Sequence, residues 1–398
     1  MITLAELEAA RRRIAPIVVP TPVRSSPALS RLAGRPVLLK PEHLQRTGSF
    51  KVRGAYNRIA RLPAGIPVVA ASAGNHAQGV ALAATETGRP STIFMPVGAS
   101  LPKVAATAAY GADVRLEGQV VDDCIVAAKA FAASTGAVYV PPFDDPDVIA
   151  GQGTVGLEIA GEAPEAAVVV VPTGGGGLLA GTATALAATR PDVAVVGVEA
   201  AGAPTVTSAL AAGHPVSLAR MATMADGIAV RSTTPLALEH ITAHVERVLT
   251  VEEEEISQAM LVLVERAKAV VEPSGATALA AVLTGRVPGN GPVLAVLSGG
   301  NVDPLLLTRI IEHGLAAAGR YLSLRVVVRD RPGALAVLTG ELAGLGLNVL
   351  SVEHHRWGRW LDPDEVEVLV TVETRNEAQH KEVVDALAAA GFSAEILA

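Results

Sequence analysis

At 398 residues, with half of them hydrophobic and 18% charged, the chain is too long for one ordinary core and too apolar for disorder. Its formal net charge is −7, aromatics make up 3%, and the basic residues form no stripe, so the electrostatic footprint of a nucleic-acid binder is missing. No run reaches the roughly 18 uninterrupted apolar residues of a membrane helix, which leaves a small-molecule site on two or three packed domains as the expectation.

The first segment, 1–14, carries Glu6, Glu8 and Arg11 to Arg13 and reads as an amphipathic helix without the apolar core of a signal peptide, so a cytoplasmic protein is expected. Short β-branched runs then alternate with Ala-rich helical stretches: 68–71, 91–96, 137–140, 167–171, 193–198 and 293–297. Buried parallel strands of an α/β sheet have this pattern. Cys124 is the only cysteine, which excludes an intrachain disulfide and a cysteine-based metal site and leaves it as small apolar filler. Gly, Pro and polar residues follow several of the runs, and ligands of open α/β sheets bind just beyond the strand C-termini.

Three segments carry chemistry. Lys51 lies among Glu42, Gln45, Thr47, Gly48, Ser49, Phe50, Arg53 and Gly54, small and aromatic surroundings in which a lysine can be desolvated and made nucleophilic. A solvated surface lysine is the plainer alternative, and these neighbours speak against it. Ser72-Ala73-Gly74-Asn75-His76 follows a strand and opens a helix, so its N–H groups and the Ser72 and Asn75 side chains can receive a carboxylate or a polar ring substituent. Simple capping by Ser72 or Asn75 is compatible with that role. Thr173 followed by Gly174, Gly175, Gly176 and Gly177 is a nest of backbone donors suited to a phosphate. Gly175, Gly177 and Ala180 also match G-x-G-x-x-A, with Glu199 at the end of the next strand where a ribose-binding acid would stand. A dinucleotide dehydrogenase is therefore a competing reading, although it gives no reason for the Lys51 cluster or the Ser72–His76 loop.

Beyond Ser298-Gly299-Gly300-Asn301 the pattern changes. A helix over 305–315 leads to a domain boundary near 318, and the last part reads strand (321–328), turn (330–333), helix to Ala343, strand (348–356), strand (365–372), helix to Ala389, strand. That is βαββαβ, the ferredoxin-like order. His354 and His355 are adjacent in a strand, point to opposite faces and cannot chelate one metal together.

T-G-S-F-K at 47–51, S-A-G-N-H at 72–76, G-G-G-G at 174–177 and S-G-G-N at 298–301 together resemble the threonine/serine dehydratases, pyridoxal-phosphate enzymes of fold type II. The likeness covers residues 5–315, and 321–398 resembles the single ACT domain appended to many bacterial members. It implies a two-lobed α/β catalytic domain over 1–317 with open, mostly parallel sheets, its smaller lobe (roughly 45–150) inserted in the larger, followed by an ACT regulatory domain over 318–398. It further implies that Lys51 carries the cofactor covalently, that Phe50 lies beside its ring, that Asn75 bonds the ring hydroxyl, that Gly174 to Gly177 grip the phosphate and that Ser298 faces the pyridine nitrogen. Gly227 and Glu272 stand in two further family-like segments near the cofactor, and the Ser72–His76 loop takes the substrate, L-threonine or L-serine. Related serine racemases place a second serine where this chain has Ala73, so weak racemisation is expected. Their divalent-cation site is matched by Glu199 but not by Thr205, so no metal is expected. In the ACT domain the resemblance implies an effector such as isoleucine or valine at Asp330, Pro332, Gly333, Ala334, Leu335 and Asn348, completed by domain pairing in a homodimer or homotetramer. A non-catalytic amino-acid sensor is a further alternative, opposed by the intact Lys51, Asn75 and Ser298.

Overall fold

The computed structural model describes residues 1–356 and 361–397. Two compact units are formed, Met1–Pro304 and Leu305–Ala398.

The first unit contains two sheets. Strands β1 (Arg24–Ser25) and β2 (Val37–Lys40) open the larger one, which β7 (Val168–Pro172), β8 (Ala194–Ala200), β9 (Arg247–Val251) and β10 (Val293–Val296) complete in the order β1-β2-β10-β7-β8-β9. All pairs are parallel except β1 with β2. Between β2 and β7 the chain builds the smaller sheet from β3 (Val68–Ala71), β4 (Ser91–Met95), β5 (Asp113–Leu116) and β6 (Val138–Tyr139), parallel throughout and ordered β5-β4-β3-β6. Its strands thus lie in sequence inside the larger sheet.

The six expected runs all form strands, and in this unit the structure adds the two-residue β1 together with β2, β5 and β9. Strand β2 escaped notice because its four-residue run ends in Lys40, which is fully buried yet ion-paired to Glu158 and Glu162 at 2.7 and 3.0 Å. Strands β5 and β9 lie at sheet edges and mix charged with apolar residues, so they lack the continuous apolar signature of a central strand.

Helix Pro146–Glu162 organises the core. Asp145 caps it by accepting from the Asp147 and Val148 N–H groups, and Pro146 occupies the first turn where a missing N–H costs nothing. Glycines set its distance to both neighbours. A Cβ on Gly151 would stand 2.8 Å from the Gly54 Cα of helix Lys51–Ile59, and one on Gly153 would stand 2.7 Å from the Gly181 carbonyl of helix Gly177–Thr189. The helix therefore spaces the lysine element from the glycine-nest element at backbone contact.

The second unit runs strand–helix–strand–strand–helix–strand: β11 (Tyr321–Arg329), helix Ala334–Gly344, β12 (Val349–His355), β13 (Glu365–Glu373), helix Glu377–Ala389 and β14 (Ser393–Ile396). Its antiparallel sheet is ordered β12-β13-β11-β14. Helix Pro304–Ala317 precedes β11 and, from Leu305 on, belongs to this unit. The compact units divide at Pro304/Leu305, ahead of the expected boundary near 318, because the helix runs on into β11, with the Arg320 N–H donating back to the Leu315 carbonyl.

Candidate active site

Lys51 begins a helix whose N-terminus is stitched to the loop after β10. Ser49 bridges Gly299, the Phe50 N–H donates to the Ser298 carbonyl at 3.1 Å, and the Gly300 N–H donates to the Gly48 carbonyl. Thr47 and Gly48 reach this arrangement with φ of 65° and 70°. Gly48 has a packing reason as well, since a Cβ there would stand 2.4 Å from the Asn301 side-chain oxygen. The Lys51 ammonium donates to the Pro142 carbonyl at 3.2 Å and lies 5.1 Å from the centre of the Phe50 ring. Burial lowers its pKa to about 8, with Glu272 pulling the other way.

Asn75 is clamped at both ends of its amide: its Nδ2 donates to Glu272 Oε1 at 2.6 Å and its Oδ1 accepts from Asn301 Nδ2 at 2.7 Å. Glu272 is almost fully buried, and desolvation, reinforced by Asp226, raises its pKa to about 7. Gly299 passes so close to this pair that a Cβ on it would lie 2.3 Å from Glu272 Oε1 and 2.9 Å from Asn75 Nδ2. Gly227 lies beside the same carboxylate, and Ile228, one residue on, packs its backbone against Gly174.

Helix Gly177–Thr189 starts without a side-chain cap, behind Gly176 at φ 95°. Its first N–H groups have no intrahelical acceptor. Neighbours leave no space for side chains on the loop: a Cβ on Gly174 would meet the Ile228 backbone at 2.9 Å, one on Gly175 the Phe143 ring at 2.4 Å, and one on Gly177 the Gln152 Oε1 at 2.6 Å. Helix Asn75–Glu86 is likewise uncapped by any side chain; its N-cap is Gly74, and Ser72 Oγ instead accepts the Gly74 N–H. Capping by Ser72 or Asn75 is therefore not what these residues do. His76 turns its Nε2 to the Val140 carbonyl at 2.8 Å, and burial, with Lys51 nearby, drops its pKa to about 3, so it brings no positive charge.

A family model for pyridoxal-phosphate-dependent enzymes matches residues 14–299. The chain belongs to the pyridoxal-phosphate-dependent enzymes. It is 44% identical over its whole length to the L-threonine ammonia-lyase of Thermotoga maritima, also covered in full. Among solved structures it resembles a T.th. threonine deaminase, with 43% identity and a TM-score of 0.72 over 76% of this chain and 99% of that one. Maize serine racemase superposes with a TM-score of 0.74 at 34% identity, over 79% of this chain and 98% of that one.

The site fits the family's cofactor. A buried amine, an uncapped nest without side chains and orphaned buried polar atoms (Thr47 Oγ1, His76 Nδ1, Gln152 Oε1, Ser274 Oγ) gather around one centre. The dinucleotide reading fails on the family match and on Glu199, whose carboxylate receives the Val206 and Thr207 N–H groups and the Thr207 hydroxyl, capping helix Thr205–Ala212. Among the described residues no cluster of three metal-ligating side chains occurs. Lys51, Phe50, Asn75, Ser298, Glu272, Gly227 and Gly174 to Gly177 are brought together. Sequence reading missed Pro142, Phe143 and Gln152, and it quoted Asn301 within the S-G-G-N motif without giving it a role. The Pro-Pro-Phe loop after β6 carries the same signal, polar backbone just past a strand, that marked the other loops.

The residues expected to hold an effector are not brought together within one chain. Loop 330–335 follows the end of β11, where Arg329 pairs with Glu365, whereas Asn348 precedes β12 at the other end, its carbonyl accepting the Glu373 N–H. At about 3.3 Å per strand residue the sheet separates them by roughly 25 Å. Asn348 instead lines an open cavity of about 610 Å³ with Arg320, Glu373 and Arg375.

Proposed function

We propose that this enzyme dehydrates and deaminates L-threonine, and L-serine, to 2-oxobutanoate or pyruvate and ammonia. One observation carries the reading: a lysine amine depressed to about 8 beside an anion nest and a clamped asparagine, in a chain alike end to end to a threonine ammonia-lyase. Bound here, pyridoxal phosphate supplies an electron sink for charge developing at the substrate Cα. The N–H groups of Gly174 to Gly177 and the start of their helix bind the phosphate. Phe50 flanks the ring, and Asn75, with one amide hydrogen spent on Glu272, offers the other to the ring hydroxyl. Ser298 would face the ring nitrogen with a hydroxyl, which would not hold a proton there as a carboxylate does, and this would favour elimination over transamination. The first N–H groups of helix Asn75–Glu86 and the Ser72–His76 loop receive the substrate carboxylate. Lys51 Nζ, being partly uncharged near neutral pH, removes the Cα proton. Ala73 supplies no acid on the opposite face, so racemisation is weak.

The test is a spectrum of the purified protein followed, in the same cuvette, by L-threonine and a 2-oxobutanoate assay. A cofactor band with oxo-acid formation, both abolished in Lys51→Ala, is expected; turnover retained in Lys51→Ala overturns the assignment.

For the second unit, its strand order supports reading it as a ferredoxin-like ACT domain. Isoleucine or valine is its proposed effector, held between loop 330–335 of one copy and Asn348 of another in a cytoplasmic homodimer or homotetramer, with a coupling of about 1–3 kcal/mol. Kinetics unmoved by any branched-chain amino acid would remove that role.

A further inference from the structure

Gln152 is 1% exposed, and its amide lies between the two halves of the site. Its Nε2 donates at 3.0 Å to the Pro142 carbonyl, the same oxygen that accepts Lys51 Nζ. A carbonyl only accepts, so this contact fixes which end of the amide is nitrogen. The other end, Oε1, meets no protein donor and stands 2.6 Å from where a Cβ on Gly177 would be. The stem packs against the lysine helix, its Cγ 3.0 Å from the position of a Cβ on Gly54. A buried acceptor without a donor costs about 1–3 kcal/mol. Here it is aimed at a nest of donors that contains no Lys, Arg or His in 172–180. A carbonyl oxygen repels a dianion in such a nest and hydrogen-bonds to an anion that keeps a proton.

We propose that Gln152 is a positioning residue that ties the acceptor of Lys51 to the glycine nest, and that its free carbonyl oxygen is reserved for a proton carried by the cofactor's phosphate. The nest then holds the phosphate as its monoanion. Phosphate esters lose that proton with a pKa of about 6 in water, so the bound group titrates higher. This rests on the phosphate cofactor and not on the substrate, so neither readout below involves threonine and the two proposals fail separately.

The experiment combines ³¹P NMR of the holoenzyme over pH with titration of the apoprotein by pyridoxal phosphate and its thermal melting. In the wild type the bound ³¹P midpoint is expected at least one pH unit above that of the free cofactor. In Gln152→Met, which fills the space without the acceptor, the midpoint falls toward the free value and the Kd for the cofactor rises about tenfold, while the apoprotein melts within a few degrees of wild type. In Gln152→Glu, of the same shape, affinity drops progressively as pH rises. A wild-type midpoint equal to that of the free cofactor overturns the proposal even if Gln152→Met does not fold. So do an unchanged midpoint in Gln152→Met and a pH-independent affinity in Gln152→Glu.

Discussion

Glu272 is the carboxyl of the site furthest from its ordinary state, with a pKa raised by burial to about 7 from an unperturbed 4.5. A raised folded-state value means that the folded protein holds the proton more tightly than the unfolded chain. The associated stability is present below about 4.5 and is lost as pH rises through about 7, an effect on the order of 3 kcal/mol. A glutamine at this position would be neutral throughout, and its carbonyl could still accept from Asn75. We therefore expect Glu272→Gln apoprotein to be more stable than wild type at pH 8 and to match it near pH 4, as measured by urea unfolding across that range. The difference between the two curves isolates Glu272 from half-buried His43 and buried His76, whose depressed values act in the opposite sense. Wild-type and variant curves that run parallel would remove the raised value. Residue types in the four motifs announced a lysine, a nest and an asparagine because these positions admit few alternatives. Gln152 went unseen, and Asn301 was seen only as part of a motif, for a physical reason: their contacts reach across 101 and 226 positions of chain, to Lys51 by way of Pro142 and to Asn75, and no local pattern encodes that.

Elements were legible where one force dominated. The central strands, buried on both faces, announced themselves by unbroken β-branched runs, whereas β5 and β9 at the edges did not. The role of helix Pro146–Glu162 was also hidden, because glycines at Gly151, Gly153 and Gly156 look like helix weakeners in sequence. In the structure they are contact points, each within van der Waals overlap of a neighbouring backbone if a Cβ were added. The cost of glycine in a helix, about 1 kcal/mol relative to alanine, is offset by close approach. Gly181→Ala places a Cβ 2.5 Å from the Ile149 carbonyl and 2.7 Å from the Gly153 Cα. Backbone atoms cannot swing aside, so we expect a loss of about 1–3 kcal/mol despite the better helix propensity. Equilibrium unfolding of Gly181→Ala checks it, and a variant as stable as wild type would show that the helices can slide apart freely. Cofactor affinity should fall with it, since the same helix spaces Lys51 from the nest.

At the scale of the whole molecule, the described part of the second unit leaves the edge strand β12 without cover. Strand β12 is exposed along its entire length, with Val349, Leu350 and Val352 at 40%, 52% and 38%, while its neighbour β13 alternates buried and half-buried residues. An open edge strand carrying apolar side chains invites pairing, and proteins that stay soluble usually cover it. Self-association of like copies is the commonest cover, and a two-fold axis would pair β12 with its own copy, since isologous contact uses the same patch twice. Such a pairing supports the proposed effector role, in which Asn348 of one copy meets loop 330–335 of another. Charge on the strand should oppose it: Leu350→Glu with Val352→Lys is expected to shift sedimentation toward a smaller species, or to raise the concentration at which association sets in about tenfold or more. The residues proposed to carry catalysis all lie in Met1–Pro304, so turnover at saturating threonine should persist while any response to isoleucine is lost. An unchanged sedimentation profile with an intact isoleucine response would place the subunit contact elsewhere and leave β12 an edge without a partner.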